Sequence, residues 1–372
     1  MDNVTHTLVG AALAETGLKR WTPLATPTLL IAANFPDIDI VVGLFGSLAY
    51  LEHHRGITHA MVGIPLLSLL LAGLMYAVGA RWQRRHPEQE RARFGPLLGL
   101  SLLAMSTHPL LDFTNSYGWR PSLPWDRTWV YGDIDFVMDP WIWAVVGGAV
   151  MWVTASTKKR VVNWIALFVV LAAPVIFIPT MAWMNKVVWL GTVALIFGLR
   201  AYSQLSAVMA QWLMRGVVLA LLLYFGALWG LHQRALQELR ATAPRYLPAS
   251  EQLQQVAAMP SPGNPLLQRA IVSTSQAYYL FDFHLLALQL APPLQAIPRT
   301  SGDATAIAVA QRESEFQTFL RFARFPVITA QRHEDQTTLV EVHDARFDPD
   351  TRRVSSFQVS IRLDALMRRI VE

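Results

Sequence analysis

Cysteine is absent from all 372 residues. That excludes disulfides and thiolate metal sites, so any metal must be held by His, Asp or Glu. Charge is scarce as well: 15% of residues are Asp, Glu, Lys or Arg, against about 25% in a soluble globular chain. With 53% hydrophobic residues, the composition points to a membrane protein. No basic stretch precedes the first apolar run, so we read that run as mature structure and not as a cleaved signal. The net charge of +5 comes from Lys and Arg set between apolar runs, and no nucleic-acid partner is expected. No internal repeat or low-complexity run stands out.

What is present begins with long apolar runs. A spanning helix needs about 20 apolar residues. Spans are expected over 60–80, 94–111, 141–155, 161–183, 187–199 and 216–231. Two shorter runs, 5–18 and 23–35, read as a tight helical hairpin or a re-entrant pair. The basic segments 18–20, 81–93 and 158–160, with Arg200 and Arg215, belong in the cytoplasm by the positive-inside rule. The N-terminus, 36–59, 112–140 and everything after about 231 then face outward. From about 233 the sequence turns mixed and polar. Stretches 270–283, 337–347 and 356–363 read as strands, 313–325 as an amphipathic helix, and 244–248 and 259–265 as connecting loops. The expected fold is mainly α: a polytopic helical membrane protein with a small C-terminal α+β extramembrane domain. Its parts are 1–145 with a metal site, 146–232 with further spans, and 233–372 outside the membrane.

Four polar clusters interrupt the apolar background: His6; Asp37 and Asp39 in "NFPDID"; His53, His54 and His59 in "HHRGITH"; His108 and Asp112 in "THPLLDF". The topology puts all four on the outer side, although only the basic loops were used to assign it. Ionisable groups beside membrane spans are functional candidates by default. Imidazole and carboxylate without thiolate suit zinc, or a harder divalent ion such as manganese or magnesium. His108 and Asp112 are four apart and share a helix face, with a kink expected at Pro109. Seven ligands exceed one tetrahedral site, so two or three ions are expected.

Blander roles compete. Asp37 could end a turn, Thr58 could cap a span beginning at His59, and Gly56 could serve a turn. Asp139 could cap the next span or add an eighth ligand. Arg55 could clamp a phosphate with paired donors or support a ligand from behind. Asp37 could be a general base while Asp39 binds. The aromatic stretch 112–140, with Trp119, Trp125 and Trp129, could be an interfacial anchor or a lid.

The segments "THTLVGAAL", "NFPDIDI", "HHRGITHA" and "THPLLDFTNSYGWRPSLPW" resemble the YdjM-type membrane-bound metal-dependent hydrolases over about residues 1–145. They are distantly similar to the zinc-dependent phospholipase C and single-strand nuclease superfamily. The resemblance implies His6, Asp37, Asp39, His54, His59, His108 and Asp112 as metal ligands, His54 being preferred to His53. It implies hydrolysis of a phosphoester by metal-activated water; from their own chemistry, Asp37 and Arg55 are the candidates for catalytic roles. The implied location is the bacterial inner (cytoplasmic) membrane, multi-pass, with the site and C-terminal domain on the periplasmic face. Such a site would take a membrane lipid or lipid-linked substrate. The rival expectation is a non-catalytic metal-binding scaffold whose C-terminal domain binds a partner. Transport is disfavoured because 141–231 offers almost no polar path.

Overall fold

Asp2 starts the first helix, α1 (Asn3–Glu15). Its carboxylate accepts from the backbone N–H groups of Val4 and Thr5, two donors that a helix start otherwise leaves free. The turn Leu18–Arg20 leads to α2 (Ala25–Ala32). Gly10 lets α1 and α2 touch: a Cβ there would lie 2.9 Å from the Leu29 carbonyl oxygen and 3.0 Å from the Ala33 Cβ. Small residues allow such close approach between membrane helices. After α2 the chain bends by 43° into a 3-10 segment, Phe35–Phe45.

This computed structural model describes all residues except 179–180, 203–204, 288–294, 348–357 and 371–372. Further helices follow: α3 (Ser47–His53), α4 (Gly63–Arg85) and α5 (Phe94–Phe113). Next come α6 (Pro140–Thr154, with a π turn at Trp143–Gly147), α7 (Lys158–Phe177), α8 (Trp183–Tyr202) and α9 (Ala207–Thr242). Among the described residues, α4, α5, α7, α8 and the helix containing α9 are long and apolar enough to cross a bilayer. The bent pair Ala25–Ala32 plus Phe35–Phe45 would make a sixth span. The expected span at 141–155 is instead the shorter apolar helix α6. Exposed leucines on α4 (Leu66, Leu69, Leu70, Leu74) and valines on α7 (Val169, Val170) suit contact with lipid. α5 runs as one helix through Pro109. Membrane helices tolerate proline where neighbouring groups satisfy the freed backbone.

The chain forms two compact units: Met1–Asp39, Arg55–His232 and Met259–Leu266 in the first, Ile40–His54, Gln233–Ala258 and Leu267–Glu372 in the second. Residues 146–232 thus fold in the same unit as most of 1–145.

The first unit's core joins α1, α2, α4 and α5 through Leu8, Leu29, Leu71, Leu97 and Leu100. α6 adds Trp143, whose indole donates to Thr5 Oγ1 at 3.1 Å.

The second unit carries two four-stranded sheets. One has the order β1 (Gln255–Ser261), β2 (Asn264–Ser273), β3 (Ala277–His284), β4 (Gln295–Pro298). The other has the order β5 (Thr300–Ser301), β6 (Pro326–Arg332), β7 (Thr338–Asp344), β8 (Gln358–Leu363). Helices α10 (Ala304–Ala310) and α11 (Ser314–Phe322) precede β6. Phe316 and Phe319 of α11 are fully buried, as its amphipathic pattern requires. The expected strand in 356–363 is observed over Gln358–Leu363; residues 356–357 lie outside the described residues. The stretch 259–265, expected as a loop, mostly continues strands β1 and β2 on either side of a tight turn with Gly263 at φ +68°.

Candidate metal centre

The centre is built in the first unit from four segments. His6 lies on α1, and Asp37 and Asp39 lie on the 3-10 segment after α2. His59 lies in the loop before α4, and His108 and Asp112 lie one turn apart on α5. All three histidines are fully buried, and Asp39 and Asp112 are buried with them. The loop can fold tightly because position 63 is glycine: a Cβ there would lie 1.8 Å from the Ile57 carbonyl oxygen.

Two imidazoles are held with one nitrogen facing outward and one facing the cluster. His108 Nδ1 sits 2.7 Å from the Ala33 carbonyl oxygen, which makes it the protonated nitrogen and leaves Nε2 as a free lone pair. His59 Nδ1 faces Asp39 Oδ2 at 3.2 Å and Thr58 Oγ1 at 2.9 Å, leaving Nε2 inward. The two Nε2 atoms are 3.1 Å apart. Asp37 Oδ1 lies 3.3 Å from both. Asp112 Oδ2 lies 3.4 Å from His59 Nε2 and 3.5 Å from His108 Nε2. A tetrahedral ion with ligands at about 2.0–2.1 Å has ligands roughly 3.3 Å from one another. The distances among Asp37, His59 and His108 match that spacing.

His6 stacks on His108, ring centroids 3.7 Å apart, with Nε2 3.5 Å from Asp112 Oδ1. Among the described residues, neither His6 nitrogen has a hydrogen-bond partner, nor does Asp112 Oδ2. Buried polar atoms left this way cost free energy unless something satisfies them. Two triads lying wholly in the first unit have ligand atoms within 4.8 Å of one another: His6, His108, Asp112 and Asp37, His59, His108. The donor chemistry and the orphaned atoms fit a divalent cation.

Burial opposes charge on His59, but hydrogen bonding to Asp37 and Asp39 and the field of Asp112 outweigh it and raise the His59 pKa. Arg55 takes a left-handed backbone, φ +53°. Its N–H donates to Asp39 Oδ2 at 3.1 Å. Its guanidinium contacts Asp112 Oδ1 at 2.9 Å and donates to Asn115 Oδ1 at 3.1 Å and the Gly118 carbonyl at 3.0 Å. It stands over the Tyr117 ring at 4.7 Å. The buried N-terminal amino group also donates to Asp112.

Within the first unit, six of the seven sequence candidates meet in one cluster. His54 belongs to the 40–54 segment of the second unit, at the end of α3, where its ring stacks on Tyr50 at 4.5 Å. It is buried, whereas His53 is exposed.

Several supporting residues escaped the sequence reading. Thr58 caps no helix, since α4 begins at Gly63; its hydroxyl donates to Asp39 Oδ2 at 2.7 Å. The Asn3 amide donates to Asp37 Oδ2 at 2.9 Å. The Trp119 indole donates to the His59 carbonyl at 2.7 Å, a structural bond within the stretch read as anchor or lid. Asp139 caps α6 through Trp141 N–H and accepts from the Tyr224 hydroxyl, both at 2.7 Å. Its position within "DPW" allowed the cap reading. The Arg55–Asn115 and Thr58–Asp39 bonds had no local signal.

Residues 1–184 match the model of the YdjM inner membrane protein family. This part of the chain belongs to that family. One curated relative, "Uncharacterized protein YfhP" of Bacillus subtilis (strain 168), is 25% identical over 182 residues. The alignment covers 46% of this chain and 51% of the relative, so the chain spans about half the length of the curated relative it matches. No solved structure matches the chain. The YdjM match and the apolar helices together make this an integral membrane protein.

Proposed function

We propose that the YdjM region is a membrane-embedded metal-dependent hydrolase acting on a phosphoester of a lipid or lipid-linked substrate. The observation that carries this reading is the buried triad of Asp37, His59 and His108, 3.1–3.3 Å from one another, with a second triad of His6, His108 and Asp112 sharing His108. One zinc ion would be held by Asp37, His59 and His108, and His6, His108 and Asp112 supply donors for a second. Manganese or magnesium would also be accepted by carboxylates. A divalent ion here would polarise a phosphoester oxygen and lower the pKa of water from 15.7 to about 7.

The chain's own residues set up that chemistry. Asp39 and Thr58 hold the His59 ring, and the Ala33 carbonyl holds the His108 ring; such outer contacts fix tautomer and direction. Asn3 turns the second oxygen of Asp37 away from the cluster. Arg55 is a positioning residue in this reading: it neutralises and aims Asp112, and its bonds to Asn115 and Gly118 tie the 115–118 turn to the centre. We infer that the centre opens to the periplasmic side, because the basic segments lie at the opposite helix ends.

A structural tie is the second reading, favoured because the buried donors come from α5, the 3-10 segment and the loop before α4, which an ion would join. Purified protein, loaded with zinc or manganese, should hydrolyse a short-chain phospholipid or a generic phosphodiester. His59→Ala should abolish that activity. Stoichiometric metal without any hydrolysis, together with loss of stability on chelation, would select the structural tie instead.

A further inference from the structure

Helices α1, α5 and α9 enclose an apolar groove of about 380 Å³, within the roughly 300–1,000 Å³ of ligand pockets. Val9 and Ala12 of α1, Leu110 and Leu111 of α5, and Phe225 and Trp229 of α9 form its walls. Interiors normally close such gaps with side chains. Here Gly226 lines the groove, and a Cβ on it would meet nothing within 4 Å. Exposed Leu110 and Leu222 leave the groove open along its side.

One end adjoins the metal centre. Leu111 and Phe113, the chain neighbours of Asp112, both line the groove, and Thr114 follows them. Phe113 and Trp229 mark this end, ring centroids 5.8 Å apart. Leu13 and Val218 mark the other. Between Val217 and Trp229 a helix advances about 18 Å.

We propose that this groove seats one hydrocarbon chain of the lipid substrate, methyl end toward Leu13 and Val218, so that the polar end meets the donors beside Asp112. The polar end's role rests on the phosphoester reading above; the seating of the chain does not. A chain leaving the bilayer for the groove gains no hydrophobic transfer energy, because the lipid interior is equally apolar. The groove therefore acts on register: it sets how deep the chain sits and so where the headgroup stops.

The test uses the full chain in phosphatidylcholine nanodiscs containing a small fraction of phosphatidic acid whose acyl chain ends in a diazirine. After illumination, adducts are mapped by mass spectrometry. They are expected on α1 near Leu13 and on α9 between Val217 and Leu222. Gly226→Trp should fill the groove and reduce them several-fold, with metal content unchanged. Gly230→Trp, on the same helix and equally open but outside the groove lining, should leave them intact. Adducts spread evenly over the exposed faces of α4 and α7 would overturn the proposal. So would labelling untouched by Gly226→Trp, or adducts gathered at Phe113 and Trp229, which would mean the reverse seating. Groove labelling without release of phosphate from phosphatidic acid, and without hydrolysis of the short-chain phospholipid and phosphodiester named above, would keep the groove and remove the hydrolase reading.

Discussion

His59 and His108 bring their Nε2 atoms to 3.1 Å although 49 residues separate them. Each ring is aimed by a hydrogen bond at its other nitrogen, so the approach is built in from both sides. Two lone pairs facing each other at this distance repel unless a proton or a cation lies between. We predict that His59→Ala or His108→Ala lowers metal content to well below one ion per chain, measured by elemental analysis of detergent-purified protein. His53→Ala, an exposed position, should leave it unchanged. Equal metal in all three variants would place the ion elsewhere.

Metal affinity should rise with pH. The neighbouring carboxylates raise the His59 pKa in the metal-free fold. A charged His59 then contributes stability fully below the ordinary histidine pKa of about 6.5 and progressively less as pH climbs through the raised value. A bound ion needs the unprotonated Nε2 and must displace that proton. Zinc titrations at a series of pH values should show affinity increasing through this window and levelling above it. Thr58→Val, which removes a partner of Asp39, should change the profile without removing a ligand.

Arg55 is a buried cation paired with Asp112. Removing one partner of a buried pair costs about 3–5 kcal/mol, since the other charge is left uncompensated. Arg55→Ala should lower the thermal midpoint strongly and reduce metal retention, because Asp112 loses its aim. Arg55→Lys restores charge but not the fork that reaches Asp112, Asn115 and Gly118 together, and should recover only part of both. A variant with unaltered melting and metal content would rule out the positioning role.

Asp135 and Asp139 lie buried close to each other before α6. Burial raises both pKa values, and the Asp139 carboxylate pushes Asp135 further. Unfolded carboxyls ionise near 3.9. The stability these groups lend is therefore fully present below that value and is lost as pH rises through their raised folded values. Asp135→Asn stays neutral at every pH and should flatten the decline of the melting temperature as pH rises above about 4. A parallel decline in both proteins would contradict the shift.

Orientation can be read directly, since a chain with no cysteine gives no background to thiol reagents. Single cysteines at Ser122 and at Gln89 should differ in intact cells: the first labelled by a membrane-impermeant maleimide, the second only after permeabilisation. The reverse pattern would put the centre on the cytoplasmic side.

Much of this architecture was legible in the sequence. Span 94–111 was found as Phe94–Phe113, because a continuous apolar run allows little other reading. The α+β character of the C-terminal part followed from alternation in segments such as 337–347, observed as Thr338–Asp344. The candidate donors were visible because His and Asp are costly in apolar surroundings. Their partners were hidden for the opposite reason. Ala33 contributes only a backbone oxygen, and Asn115, Thr58 and Asn3 are polar residues of the kind every loop contains. Arg55 showed its charge but not its direction; the left-handed backbone that turns it toward Asp112 has no sequence signature outside glycine and asparagine. α6 falls within one residue of the expected 141–155, but it is a shorter apolar helix and not one of the spans, a difference hydropathy alone does not show.

Two of the inward donors stand on α5 one turn apart, and the others come from a 3-10 segment and a loop. A helix turn is braced by its own hydrogen bonds, whereas loops yield more readily. The cluster thus has a rigid jaw and a compliant one. An ion of larger radius would be accommodated by movement of Asp37 and His59, with His108 and Asp112 as the fixed reference. Discrimination between ions of different size would then be written in the stiffness of residues 35–39 and 57–63, away from the helix that supplies half the ligands.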